Sequence, residues 1–179
     1  LDKFIGDAIM AAFGLPFTTD DDEDKALRAS IDMITNLWDW NKQRAENGLP
    51  AIEMGIGLNT DTVVSGNIGS PKRMDYTVIG DGVNLAARLE SACKQYAARI
   101  LVSEFTHSNL KGVYRTREID KVIVKGKTEP VGIYEALDFH TPETFPNVME
   151  VLNYFKDGLE KYRVGDWDPA IKSFKEGQK

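Results

Sequence analysis

Short apolar runs and longer segments with helical spacing alternate along this chain. The first apolar runs, at positions 4–5 and 8–13, flank Gly6-Asp7, a dipeptide typical of tight hairpin turns. An acidic cluster at 20–24 then precedes apolar residues spaced three or four apart, a pattern that predicts a helix reaching about Glu46. The chain is therefore expected to begin with a β-hairpin followed by one long helix.

The central part of the chain mixes strand and helix patterns. A helix is predicted from Asp81, which is the expected N-cap, and a short helix at 103–109 is capped by Ser103. Further strands are predicted at 52–58, 62–68, 100–102, 114–124 and 133–137. This order favours an α+β fold in which helices pack on a sheet.

The last forty residues differ from the rest in pattern. Prolines at 142 and 146 mark a linker, and two amphipathic helices are predicted around Gly165-Asp166. The predicted division is a main domain at 1–139, a linker at 140–147 and a helical hairpin at 148–179. The hairpin is either the start of a tetratricopeptide-like repeat or a pair of helices that packs on the main domain.

Composition narrows the possible functions. The net charge of -6 and pI near 5.0 argue against general nucleic-acid binding, which requires concentrated Lys and Arg. A single cysteine, Cys93, forms no intrachain disulfide, so the cytoplasm is the expected location. No apolar run is long enough to span a bilayer, although a longer parent protein could be membrane-anchored. Because the chain starts at Leu1 within strand-like sequence, both ends are expected to be cuts.

Few side chains suggest chemistry when each is taken alone. Asp7 is either a turn residue or a carboxylate ligand for Mg²⁺ or Mn²⁺, and Lys3 is an ordinary strand lysine unless it has partners. Asn84 and Arg88 are four apart on the predicted helix, so they share a face and can reach one ligand. A solvated helix face explains that pair equally well.

Two longer sequence segments decide between these interpretations of the individual residues. Positions 3–11 (KFIGDAIMA) and 75–90 (DYTVIGDGVNLAARLE) together resemble the class III nucleotidyl cyclases, and the resemblance covers about 1–137. It implies the ferredoxin-like α+β sheet of that family, with its first strand missing from this chain. Further matching segments lie at 55–57, 66–70, 124–127 and 130–135.

The resemblance also implies roles for individual residues and for a partner subunit. It implies two metal ions, Mg²⁺ or Mn²⁺, held in part by a second aspartate expected upstream of Leu1, and a homodimer with shared active sites. The residues concerned are Asp7 as metal ligand, Lys3 and Thr77 for the purine, Asn84 for the ribose, and Arg88 and Lys125 for the triphosphate.

The residues expected at the base favour ATP. Lys3 can donate to adenine N1, and the Thr77 hydroxyl can accept from the 6-amino group. An adenylyl cyclase is therefore expected, inactive as this chain alone but active in a parent protein with an upstream regulatory domain. The alternatives are a degenerate cyclase-like domain that binds nucleotide as a dimerisation module, and a small-ligand or RNA-binding module.

Overall fold

The computed structural model describes residues 2–70, 73–123 and 130–178, and it confirms the expected α+β fold. Within these ranges, no helix has the length and apolar character needed to cross a membrane. The elements, in chain order, are β1 (Lys3–Ile5), β2 (Ala8–Met10), α1 (Asp22–Glu46), β3 (Ile56–Leu58), β4 (Val64–Ser70), β5 (Arg73–Ile79), α2 (Asp81–Tyr96), β6 (Ile100–Ser103), α3 (Glu104–His107), β7 (Thr116–Val122), β8 (Val131–Ala136), α4 (Val148–Arg163) and α5 (Trp167–Glu176).

The main sheet has the strand order β3-β6-β8-β7, with β3 and β6 parallel and the other pairs antiparallel. Strand β6 is buried along its whole length, and its side chains alternate between two clusters. Leu101 packs with Leu85 of α2, whereas Ile100 and Val102 pack with Leu27 of α1. Helices therefore cover both faces of the sheet, with a hydrophobic cluster on each side.

Two small antiparallel ribbons, β1–β2 and β4–β5, lie outside the main sheet. The predicted turn of the first ribbon is confirmed, with Gly6 at a φ of +64°. Its second strand ends at Met10, and the strand predicted at 52–58 starts only at Ile56, so both predicted strands were too long.

Strand β5 was not predicted at all. Glycines and a proline between 66 and 71 suggest a break in the sequence, yet β4 and β5 pair continuously from Val64–Ile79 to Ser70–Arg73. The glycines lie within a ladder whose backbone hydrogen bonds do not depend on side chains, so the ribbon forms despite weak local propensity.

The predicted helix caps have different outcomes. Ser103 caps α3 as expected, its Oγ accepting from the backbone N–H of Thr106 at 3.3 Å. Asp81 was expected to cap α2, and this is wrong: Gly80 is the N-cap and Asp81 is the first helical residue. A carboxylate in the first turn still favours the helix through its dipole.

Helices α4 and α5 pack against each other at the C-terminal end. The rings of Phe155 and Phe174 lie 5.6 Å apart, and a Cβ at Gly158 would come within 2.6 Å of the Phe174 ring. Helix α4 also reaches β7, because Arg163 forms a two-pronged ion pair with Glu118. The division of the chain at 139 and 147 stays a prediction.

Candidate functional site

The β1–β2 ribbon carries the candidate metal ligand. The left-handed conformation of Gly6 makes the turn that exposes Asp7 at its tip, and Lys3 lies half-buried at the start of β1. Within residues 2–70, 73–123 and 130–178, no group of three or more His, Cys, Asp or Glu side chains could hold a metal ion. The described residues therefore do not form a complete metal site around Asp7.

Thr77 of β5 is tied to the first ribbon. Its side chain is buried, with 8% exposure, and its hydroxyl donates a hydrogen bond of 2.7 Å to Oδ2 of Asp2. The structure thus brings Thr77 to the residue directly before Lys3, but it shows no hydrogen bond between Lys3 and Thr77. Asp2 was not predicted, and its only signal in the sequence is its position beside Lys3.

Helix α2 carries Asn84 and Arg88 on its outer face, as their spacing predicted. The opposite face packs into the core through Leu85, Leu89 and Cys93. Both polar side chains are exposed and line one open groove of about 510 Å³. The other residues of the groove, all from the same helix, are Ala87, Ser91, Ala92 and Gln95.

Arg88 gives this groove a positive charge. Arg88 forms no ion pair with any residue in the described part of the chain, so its guanidinium N–H donors are free to bind an anion.

On the buried face of α2, loss of water raises the pKa of the Cys93 thiol to about 11. That thiol stays protonated near neutral pH and is a packing group rather than a nucleophile.

The loop after β3 positions the start of α2. The Asn59 side chain donates to the backbone oxygen of Gly82 at 3.0 Å and accepts from Ser103 Oγ at 2.7 Å. A Cβ on Gly82 would lie 2.4 Å from the Cβ of Asp61, so the helix start rests directly on this loop. These contacts were not predicted, because they join segments far apart in the sequence.

The structure thus assembles only part of the predicted site. Asn84 and Arg88 share a groove, and Thr77 is linked to the strand of Lys3 through Asp2. Asp7 does not belong to a group of three or more candidate metal ligands in the described part of the chain. Lys125 lies outside the described residues.

Comparison with known proteins shows the family of this chain. The family described as the adenylate and guanylate cyclase catalytic domain matches residues 3–137, which include both ribbons, α2 and the main sheet. The chain belongs to this family. Within these cyclases, it is 45% identical over 142 residues to an adenylate cyclase of Anabaena cylindrica, a match covering 75% of this chain and 27% of the relative.

Solved cyclase structures share the fold. The adenylyl cyclase CyaB from P. aeruginosa is 36% identical with a TM-score of 0.68, covering 80% of this chain and 73% of that one. The guanylyl cyclase Cya2 is 37% identical with a TM-score of 0.63, covering 75% and 68%. Backbone similarity therefore does not separate ATP from GTP as substrate. The chain spans between 8% and 27% of the length of the first curated relatives that it matches.

Proposed function

We propose that the protein containing this chain is an adenylyl cyclase that converts ATP to cyclic AMP and pyrophosphate. The observation that carries the proposal is the shared groove of Asn84 and Arg88 on α2, in a chain that belongs to the cyclase family. The ribose 3′-hydroxyl gives up its proton to water, and its oxygen forms a bond to the α-phosphorus. The bond from that phosphorus to the bridging oxygen breaks, and pyrophosphate leaves with the electron pair.

Two groups on α2 have chemistry that suits this step. Arg88 is exposed and unpaired within the described residues, and its planar set of N–H donors fits phosphate oxygens as their negative charge grows. Asn84, one turn earlier, offers both a donor and an acceptor to the ribose. In our proposal Lys125 adds a third contact, to the triphosphate, by resemblance to the family.

Adenine is the preferred base in this proposal. Lys3 would donate to N1 and Thr77 would accept from the 6-amino group, and the link from Thr77 to the strand of Lys3 supports placing both at one base. The groups of guanine at these positions have reversed polarity, with an oxygen at position 6 and an N–H at position 1.

Mg²⁺ or Mn²⁺ would assist the reaction by polarising phosphate oxygens. Asp7, exposed at its turn, would be one ligand, and we propose that a further aspartate upstream of Leu1 would be another. Because the described residues supply no cluster of three candidate ligands, this chain alone is expected to be inactive.

A second copy of the complete protein would supply the other half of the site. The groove is open and is lined by one helix only, so a second protein surface would be needed to enclose a nucleotide there. The β1–β2 ribbon also exposes Phe4, Ile5 and Ile9 by 68%, 56% and 51%, an apolar area of the kind that interfaces cover. We propose a homodimer in which Asp7 of one protomer meets Arg88 of its partner.

For the wider organisation of the protein, we propose what the sequence led us to expect. We propose a catalytic domain at 1–139, a linker at 140–147 and a separate helical element at 148–179, in a cytoplasmic part of a longer protein. A regulatory domain would precede the catalytic domain.

Mixing two inactive variants tests both the activity and the shared site. In the complete protein, Asp7→Ala and Arg88→Ala should each abolish cyclic AMP formation from ATP and Mn²⁺. An equal mixture should recover about a quarter of wild-type activity, since half of the dimers would carry one intact site of two. Lys94→Ala, which removes an exposed cation from the same helix away from the groove, is the matched control.

The outcomes separate the rival functions. Wild-type protein that binds ATP without forming cyclic AMP would support a degenerate dimerisation module instead. Single variants that are inactive and show no recovery on mixing would rule out the shared site while leaving the activity in place. This chain alone, assayed beside the complete protein, should show no turnover.

A further inference from the structure

Asp2 is joined to the residue that our proposed function places against the purine. We propose that Asp2 is a positioning residue for base selection: it fixes the hydroxyl of Thr77 so that only its lone pairs face the base. Adenine, which presents an amino donor at position 6, is thereby accepted, and guanine, which presents an oxygen there, is disfavoured. The inference rests on the proposed cyclase function and assigns its selectivity for ATP over GTP to the hydrogen bond between Thr77 and Asp2.

The argument starts from the number of hydrogens available. A threonine hydroxyl has one hydrogen and two lone pairs, so alone it can satisfy either a donor or an acceptor. A carboxylate accepts only, and Thr77 Oγ donates to Asp2 Oδ2 at 2.7 Å, the usual distance for a good O–H···O bond. The single hydrogen is therefore committed to Asp2.

Burial of Thr77 keeps its hydroxyl hydrogen directed toward Asp2. Thr77 is only 8% exposed, so water competes weakly for its hydroxyl. Asp2 is held in turn by its backbone, whose N–H donates to the carbonyl oxygen of Met10 at 2.9 Å, across the first ribbon. The acceptor that orients Thr77 is thus held at the end of the first ribbon, directly before Lys3.

The residue opposite Thr77 in its ribbon leaves open space. Its direct partner across the β4–β5 ribbon is Gly66, and directly opposed residues point to the same face of a ribbon. A Cβ built on Gly66 would meet no heavy atom within 4 Å. The ribbon face that Thr77 shares with Gly66 therefore has open space at Gly66.

The competing explanation is that the hydrogen bond from Thr77 to Asp2 only holds the two ribbons together. In that case, loss of the Asp2 carboxylate would weaken ATP and GTP turnover by the same factor. If Asp2 has the proposed role, loss of its carboxylate changes the ratio of ATP turnover to GTP turnover. An amide at position 2 can donate to Thr77, and the hydroxyl hydrogen is then free to point toward the guanine oxygen.

The test measures kcat/KM for ATP and for GTP in the complete protein. Asp2→Asn, which keeps the size of the side chain, should lower the ATP:GTP ratio about tenfold, the order expected for one misdirected hydrogen bond. Asp2→Glu keeps an acceptor-only group and should preserve the preference for ATP. Asp39→Asn, a carboxylate change at an exposed pair with Lys42 on α1, should leave the ratio unchanged.

The same substitution in a protein without the Thr77 hydroxyl tests whether the effect depends on that hydroxyl. In Thr77→Val protein, which has no hydroxyl to orient, adding Asp2→Asn should change the ratio by less than about twofold. An unchanged ratio for Asp2→Asn in otherwise wild-type, active protein overturns this inference and leaves the cyclase function intact. Absence of cyclic product from wild-type protein with either nucleotide overturns both.

Discussion

Asp24 is a buried carboxylate whose hydrogen bonds tie α1 to the segment before β7. Its side chain is 2% exposed and accepts from the N–H groups of Lys111 and Gly112 and from the hydroxyl of Tyr114, at 2.8–2.9 Å. Burial by itself would raise the pKa of Asp24, but these three hydrogen bonds outweigh it and hold the pKa below its ordinary value of 3.8. The ionised form therefore stabilises the fold.

Replacing Asp24 should make the loss of stability depend on pH. A carboxyl with a lowered pKa contributes fully above 3.8, and its contribution fades as pH falls through the lower folded-state pKa. Asp24→Asn should cost about 2–3 kcal/mol at pH 7, and the difference from wild type should shrink below about pH 4. Urea unfolding between pH 3 and 7, with Asp39→Asn as control, measures this. A difference that stays constant with pH would contradict the assignment.

At the scale of elements, glycines in and beside β3 set the position of α2. A Cβ on Gly57 would lie 2.2 Å from the carbonyl oxygen of Ala86 and 2.3 Å from the backbone nitrogen of Glu90. Both atoms belong to the helix backbone, which cannot turn aside as a flexible side chain does. Helix α2 therefore touches the strand directly, and this contact determines where Asn84 and Arg88 lie.

Gly57→Ala should therefore push α2 outward. The variant should lose about 1–3 kcal/mol of unfolding free energy, as expected for overpacking against a rigid neighbour. The complete protein should also lose cyclase activity at temperatures where it remains folded, because the groove residues move with the helix. For stability, Gly66→Ala is the matched control, since its Cβ meets open space. Equal stability of the two variants would argue against the close packing.

At the scale of the whole molecule, the C-terminal helices are attached to the catalytic sheet through β7. Arg163 of α4 pairs with Glu118, and Arg117 lies 4.9 Å from the centre of the Phe155 ring. Arg117 also donates to the buried carboxylate of Glu135 on β8 at 2.6 Å. These contacts join α4 to the main sheet, and the choice between a tetratricopeptide-like repeat and a packed pair of helices stays a prediction.

Breaking the outer ion pair should loosen α4 without unfolding the sheet. Arg163→Ala should cost less than about 1 kcal/mol in global stability, because both partners are partly exposed to solvent. Amide hydrogen exchange should quicken in α4 while β6 stays protected. Lys42→Ala, which removes a highly exposed pair on α1, should leave α4 exchange unchanged. Unaltered exchange in α4 after Arg163→Ala would contradict this attachment.

Local patterns in the sequence predicted the elements and the family. The Gly6-Asp7 turn, the long acidic-capped helix and the shared face of Asn84 and Arg88 each depend on residues a few positions apart. Short-range geometry governs such features, so reading along the chain was sufficient for them. The same reading missed β5, whose pairing with β4 overrides glycines that look like breaks.

Only the tertiary structure decided which distant residues meet. Asp2 lies against Thr77, Asn59 supports the start of α2, and Asp24 binds a segment nearly ninety residues later. No local period encodes such contacts, because they arise when packing of the two clusters brings separate segments together. The sequence therefore determined which groups are candidates for nucleotide chemistry. The fold determined that one of them, Thr77, has its single hydrogen already committed.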